Sequence, residues 1–216
     1  MARVTAIRAG KSPSRRVNLF LDGRFALSLD TEVAVKENLR VGRDLSDNEI
    51  ETLNRSDNFR RCLNAAEHYL SYRPRSESEV EARLSRRGFD TGSIKAVLAL
   101  LKEQNLVDDF AFAQFWRDGR QSSRPGSRWL TRLELRQKGI AEDIIDRVVD
   151  TVDDDDNAYR AAAGKLRSLP LSDYPNFRRR LGEYLKRRGF SYEVINNTVK
   201  RIWQEQGDPV LDDTLH

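Results

Sequence analysis

The chain has 216 residues, 38 of them Lys or Arg and 34 Asp or Glu. A hydrophobic fraction of 38%, rich in Leu, Val, Ile and Phe, excludes a disordered chain. The net charge of only +4 excludes recognition by bulk charge, so an anionic partner must meet local clusters.

One cysteine, Cys62, rules out an internal disulfide and agrees with a reducing cytoplasm. The opening MARVTAIRAGKSPSRRV lacks the apolar core of a signal peptide. No stretch approaches the roughly 20 apolar residues of a membrane helix. A cytoplasmic protein is expected.

Residues 2–30 read as strands. Val17, Leu19 and Leu21 alternate with polar neighbours, as do Phe25, Leu27 and Leu29. Asp22-Gly23 between them suits a hairpin turn with two positive φ angles. Val4 and Ile7 mark a further strand, which makes a three-stranded antiparallel sheet. A short helix is expected over 31–39. Ser46 and Glu49 form a capping box for another helix through about Leu53. This N-terminal extension, 1–57, serves either as an end cap on the helices that follow or as a partner-binding appendage.

After residue 58 one frame recurs. Pro74, Pro125 and Pro175 each precede a glycine, Gly88, Gly139 and Gly189, by 14 positions. Leu84, Leu135 and Leu185 sit at the same register, and Phe89, Ile140 and Phe190 follow the glycines. The frames start 51 and 50 residues apart, a period that marks stacked structural units. Each proline is expected just before a new helix. Ser76 with Glu79, and Ser127, supply N-caps. Each glycine suits the left-handed residue that ends a helix, with Arg or Lys before it to oppose the helix dipole.

A second helix follows each glycine. Ile94, Leu98 and Leu101 draw its apolar stripe in the first frame, Ile145, Val149 and Val152 in the second, and Ile195, Val199 and Ile202 in the third. A third helix precedes each proline, over 58–72, 109–121 and 156–168. Three three-helix repeats are therefore expected, at 58–107, 108–152 and 153–206, with a C-terminal tail at 207–216. Such a series predicts an elongated body with long binding surfaces rather than a deep pocket.

Catalytic constellations are not found. The two histidines are His68, within a helix, and His216, the last residue. Neither a Walker loop nor a metal-ligand spacing occurs. The run Asp153–Asp156 lacks the glycine and final glutamate of a calcium loop, and reads as a linker that places negative charge at a helix start. Asp108-Asp109 reads the same way. Glu79, Glu81 and Glu134 are expected on solvated helix faces. No cofactor is expected.

The basic residues are segregated. Arg117, Arg120, Arg124, Arg128, Arg132, Arg136 and Lys138 run through the middle repeat, and Arg128, Arg132 and Arg136 share one helix face. Trp129 stands beside them. Arg73, Arg75, Arg83, Arg86 and Arg87 cluster in the first repeat, Arg178–Arg180 and Lys186–Arg188 in the third. Guanidiniums at this density grip phosphates or carboxylates through paired hydrogen bonds. Taken singly, each also fits a solvated helix face.

RPRSESEV at Arg73–Val80, LVDDFAFA at Leu106–Ala113, and the pattern from Gly126 through Leu133, Glu134, Leu135 and Lys138 to Gly139-Ile140 resemble the RecX family of RecA regulators. The resemblance covers 58–206 well and the N-terminal extension more weakly. It implies an all-helical core of three tandem repeats. It also implies modulation, usually inhibition, of RecA filaments and of their strand exchange, ATP hydrolysis and support of repressor cleavage, in DNA repair and the SOS response. RecX proteins are thought to lie along the groove of the RecA–DNA filament.

The third frame departs from the family pattern at Tyr174-Pro175-Asn176-Phe177. On this reading Arg73, Arg75, Arg83, Arg87, Arg117, Arg120, Arg124, Arg128, Trp129, Arg132, Arg136 and Lys138 are candidate contacts to RecA or DNA, made by a monomer. The alternative is an autonomous DNA-binding protein built from helix-turn-helix-like units.

Overall fold

The computed structural model describes residues 1–10, 15–169, 171 and 173–207. The chain divides into two compact units, Met1–Val107 and Asp108–His216.

The first unit opens with strands β1 (Ala2–Ala9), β2 (Arg16–Leu21) and β3 (Arg24–Asp30), then helix α1 (Thr31–Lys36) and the two-residue strand β4 (Asp44–Leu45). The sheet is antiparallel and has four strands in the order β3-β2-β1-β4, one more than expected. A strand as short as β4 carries no alternation to read. Asp22 and Gly23 turn the hairpin with φ of 48° and 78°, as their pairing requires. Leu19, Leu21 and Leu29 are buried, but Phe25 is exposed and meets Phe20 edge-on. The β2–β3 register shifts between Leu19 and Phe20, and such an irregularity changes which face the strand presents beyond it.

Helix α2 runs unbroken over Asp47–Leu70. The helix expected to end near Leu53 and the one expected from 58 are therefore one element, and the 57/58 boundary lies inside it. Its start is the foreseen capping box: Ser46 accepts from Glu49 N–H, and Glu49 accepts from Ser46 N–H. That bond and Arg43 hold the Glu49 carboxyl down at about 2. Helices α3 (Glu77–Arg86) and α4 (Thr91–Glu103) complete the first repeat.

Its core joins Leu63 and Ala66 of α2 to Val80 and Leu84 of α3 and Ile94, Val97 and Leu101 of α4. A separate cluster, with Leu19, Leu29, Leu45 and Leu53, sits between the sheet and the start of α2. One α2 residue ties the two regions by polar contacts. Asp57, only 5% exposed, accepts from Asp30 N–H at 2.7 Å and from Arg16 Nη2 at 3.0 Å.

The second unit contains α5 (Asp109–Ser123), α6 (Arg128–Gln137) and α7 (Glu142–Val149), then α8 (Asp154–Lys165) with a 3-10 turn at Leu166–Ser168, α9 (Tyr174–Lys186) and α10 (Tyr192–Gly207). Phe112, Leu135, Ile145 and Val149 form one core; Phe177, Leu181, Leu185, Val199 and Ile202 form the next. Gly88, Gly139 and Gly189 all take the left-handed conformation, with φ of 83°, 77° and 83°.

The third frame differs at its start. Pro74 and Pro125 lie before their helices, whereas Pro175 lies inside the first turn of α9, with Asp173 at the N-cap. There the missing N–H costs nothing, because first-turn donors have no helical acceptor. Of the expected tail, Gly207 ends α10, and 208–216, with His216, lie outside the described residues. No helix among the described residues is long and apolar enough to cross a membrane.

The buried Asp57 pair generates a first prediction. Asp57→Ala leaves the Asp30 N–H without its acceptor and Arg16 with Ser28 alone, and urea unfolding should register a loss of about 2–3 kcal/mol. Asp57→Asn, which retains an acceptor for Asp30, should lose less. A loss below about 1 kcal/mol for the alanine variant would show the contact to be incidental.

Candidate functional site

The candidate arginines divide into structural and available ones. Arg132 pairs with Glu142 and Asp146, and Arg136 donates twice to Glu142 at 2.8 Å. Arg136, then Arg132, hold the Glu142 carboxyl below the usual range. Arg128 shares their face, but its Nε donates to Val152 O at 2.8 Å and its N–H to Asp154 at 2.7 Å. Spacing by four thus places these cations together, while α7 supplies the carboxylates that occupy Arg132 and Arg136 and the α7–α8 link supplies the Val152 carbonyl that occupies Arg128. They clamp the repeat.

Arg117 bonds Asp118 and Thr151. Arg120 bonds Glu134, which also accepts from Trp116 Nε1 at 2.8 Å. Arg120 and Lys138 both lie over the Trp116 ring, at 5.3 and 4.7 Å. Glu134 is therefore no solvated residue: its side chain is 16% exposed. Glu79 is likewise recessed and accepts from Arg73 at 3.1 Å. Arg75 and Arg83 lie over the Tyr69 ring, at 4.1 and 5.6 Å. Such stacked cations remain charged but have one face covered.

The acidic run is also explained by local bonding. Asp153 caps α8 by accepting from Asp155 and Asp156 N–H, and Asp108 does the same for α5. Burial pushes the Asp154 carboxyl up, against the lowering effect of the Arg128 N–H.

Against this background a concavity between the second and third repeats retains unengaged guanidiniums. A cleft of about 290 Å³ is lined by Arg120, Arg124, Leu130, Tyr184, Arg187 and Arg188. Arg124 and Arg187 are exposed, and their guanidiniums have no hydrogen-bond or ion-pair partner among the described residues. Arg188 is structural: it lies 4.6 Å over the Tyr184 ring and donates to Pro125 O at 2.9 Å. Trp129, 61% exposed, stands at the start of α6.

This cleft exists because the α9–α10 turn docks on the segment before α6. Ser127 N–H donates to Arg188 O at 3.1 Å, and Asn157 bonds Gly126 O at 3.3 Å. The seam is tight. A Cβ on Gly189 would stand 2.6 Å from Ser127 Oγ and 2.9 Å from Trp129 Cε3. Reading frames singly names Arg124 but misses Arg187, because the two meet only across repeats. The basic tripeptide Lys186–Arg188 is the signal that marks it.

Two further predictions follow. Gly189→Ala should destabilise more than Gly88→Ala. Both pay about 1–2 kcal/mol for a left-handed alanine, but a Cβ on Gly88 meets nothing within 4 Å. Equal losses in thermal melts would show that the seam yields freely. Arg132→Ala should cost about 0.5–1 kcal/mol for its exposed pairs, while Arg124→Ala and Arg187→Ala stay within about 0.5 kcal/mol of the parent. Equal losses in all three would overturn the division between clamping and available arginines.

Comparison with known proteins matches each part of this architecture. Residues 2–46 match the regulatory protein RecX N-terminal domain, and 62–101, 108–149 and 153–199 match the first, second and third RecX three-helix domains. The regulatory protein RecX of Bacillus licheniformis is 32% identical over 212 residues, 96% of this chain and 80% of that protein. That of Clostridium tetani is 28% identical over 210 residues, covering 95% and 96%. That of Chlorobaculum tepidum is 39% identical over 145 residues, covering 67% and 90%.

A crystal structure of a regulatory protein RecX superposes with a TM-score of 0.69 at 25% identity, covering 93% of this chain and 100% of that one. RecX from Lactobacillus salivarius shares the fold, with a TM-score of 0.60 at 23% identity over 69% and 99%. With an N-terminal sheet, three glycine-turned helical repeats and relatives matching over nearly its full length, the chain belongs to the RecX family of regulatory proteins.

Proposed function

We propose that this protein is a cytoplasmic, non-enzymatic regulator that binds RecA or the RecA–DNA filament and modulates, in the inhibitory direction, its ATPase, recombinase and coprotease activities. Family membership supports the regulatory role. The observation that carries the site is the cleft between the second and third repeats, where Arg124 and Arg187 face solvent without partners among the described residues.

Guanidiniums already held by carboxylates gain little from a second anion. Unengaged ones take a carboxylate of a protein partner, or a phosphate, through paired charge-assisted hydrogen bonds. Leu130 and the Tyr184 ring give the cleft an apolar floor, which raises the strength of such a bond by excluding water. Trp129 offers a large amphipathic surface of the kind enriched at interface centres.

The test is RecA-dependent ATP hydrolysis on single-stranded DNA, titrated with this protein. Hydrolysis should fall as the protein is added. Arg124→Glu with Arg187→Glu should raise the half-effective concentration about tenfold or more, since each charge-assisted contact is worth about 1.5 kcal/mol. The melting temperature should stay at that of the parent. No effect of the parent protein on hydrolysis, together with no binding to RecA filaments, would overturn the reading. Sequence-selective binding to bare duplex DNA without RecA would favour a helix-turn-helix DNA-binding protein instead.

A further inference from the structure

The third repeat has a groove that the regulatory reading leaves unused. It has a volume of about 470 Å³ and lies between α9 and the start of α10. Pro175, Gly182 and Ile195 supply its apolar part, and Arg178, Lys186 and Tyr192 stand among its polar residues.

Tyr192 distinguishes this groove from the other concavities. The chain has six tyrosines. Tyr69 and Tyr184 lie beneath guanidiniums, Arg75 at 4.1 Å and Arg188 at 4.6 Å. Tyr174 packs against Trp203 at 5.1 Å, and the Tyr159 hydroxyl donates to Glu205 at 2.8 Å. The other two are exposed, Tyr72 at 71% and Tyr192 at 72%. The surroundings of their oxygens differ. That of Tyr72 meets the His68 ring at 3.3 Å. That of Tyr192 hydrogen-bonds Asn196 and Arg178, and Lys200 adds its charge. Asn196 first, and Arg178 next, hold the phenol below its usual range.

The cations here are available. Lys186 is exposed and has no hydrogen-bond or ion-pair partner among the described residues. Arg178 is exposed too, and it meets the phenol itself. Of the carboxylates nearby, Glu183 is matched to Arg179 at 3.8 Å, and Glu193 follows Tyr192 in the chain. A neutral hydroxyl draws little from such a cationic setting. A phosphate in its place carries about −1.5 to −2 charges at neutral pH and forms charge-assisted hydrogen bonds with guanidinium and ammonium groups.

The position also suits a transferase. Tyr192 is the first residue of α10, and helix ends fray. The neighbouring Ser191 hydroxyl is already engaged, accepting from Val194 N–H at 3.3 Å. We propose that Tyr192 is a phosphorylation site, modified by a protein kinase with a nucleoside triphosphate as donor, and that Arg178 and Lys186 retain the phosphate. In the step Tyr192 Oη attacks the γ-phosphorus. The Oη–P bond forms as the bond from that phosphorus to the β,γ-bridging oxygen breaks. The nucleoside diphosphate leaves, and the phenolic proton passes to the kinase's carboxylate base. The result is a charge switch, because cations of the groove become occupied by a group of their own chain.

The experiment treats the full chain with ATP and the catalytic domain of a broad-specificity protein tyrosine kinase, and maps the product by peptide mass spectrometry. A single phosphate should appear, on Tyr192. Tyr192→Phe should abolish it, and Tyr72→Phe should leave it unchanged. The phosphorylated chain is then titrated by phosphorus NMR. Its phosphate should lose the second proton below the ordinary value of about 6, because cations beside it favour the dianion. Arg178→Ala with Lys186→Ala, both exposed changes that should keep the parental melting temperature, should return that value to about 6.

Absence of phosphate on Tyr192, or as much on Tyr72, would overturn the proposal. So would an ordinary value in the phosphorylated parent, which would show that the groove's cations do not receive the group. Neither measurement involves RecA, so this inference and the regulatory reading fail separately.

Discussion

The approach of the Gly189 turn to the start of α6 is the contact on which the second unit depends. A helix leaving α9 must reverse, and the left-handed residue that reverses it sits against Ser127, Trp129 and Leu130. A side chain there would be both conformationally strained and sterically blocked. Glycine meets both conditions, so the Arg188 carbonyl reaches the Ser127 N–H while the Arg188 guanidinium reaches Pro125 O. The same contact brings Arg187 to a cleft that also holds Arg124. A structural necessity, joining one repeat to the next, thereby sets the position of the cations proposed to act.

Charge density supplies the second constraint. With 38 cations and 34 anions, many guanidiniums find a carboxylate. Arg132 and Arg136 are matched to Glu142, Arg120 to Glu134, Arg73 to Glu79 and Arg16 to Asp57. These pairs differ in worth. The exposed ones are weak and screened by salt, whereas Asp57, recessed with two donors, is costly to disrupt. Unmatched guanidiniums are informative where a concavity gathers them. Among the unmatched ones, Arg61 and Arg87 line a concavity in the first unit, and Arg124 and Arg187 line one in the second.

Most of the fold was legible in the sequence because it depends on local signals. The proline-to-glycine frame, the Ser46–Glu49 box and the Asp22-Gly23 turn each act within a few residues, and each appears in its expected role. The misreadings arose where distant residues decide. β4 exists through pairing with β1, which its own two residues cannot announce. The continuity of α2 was hidden because the stripe serving the sheet and the stripe serving the repeat are different, and Asp57 interrupts them with a buried charge. Pro175 looked like a helix boundary, yet a first-turn proline obeys the same steric rule.

The site was less legible for a related reason. Helical spacing reports which side chains share a face, not what stands opposite that face. Arg128, Arg132 and Arg136 read as one field, but α7 and the link that follows it present acceptors to them. Conversely, Arg61 carries no motif, and it acquires meaning only when β2 and the α3–α4 turn flank it with Arg15 and Arg87. Guanidinium suits both carboxylate and phosphate. The surroundings then differ. Leu130 and Tyr184 stand beside Arg124 and Arg187 in the second unit's cleft, whereas Asn64 and His68 stand beside Arg61 in the first unit's groove. The same side-chain chemistry thus sits in different surroundings in the two units, more polar in the first and more apolar in the second.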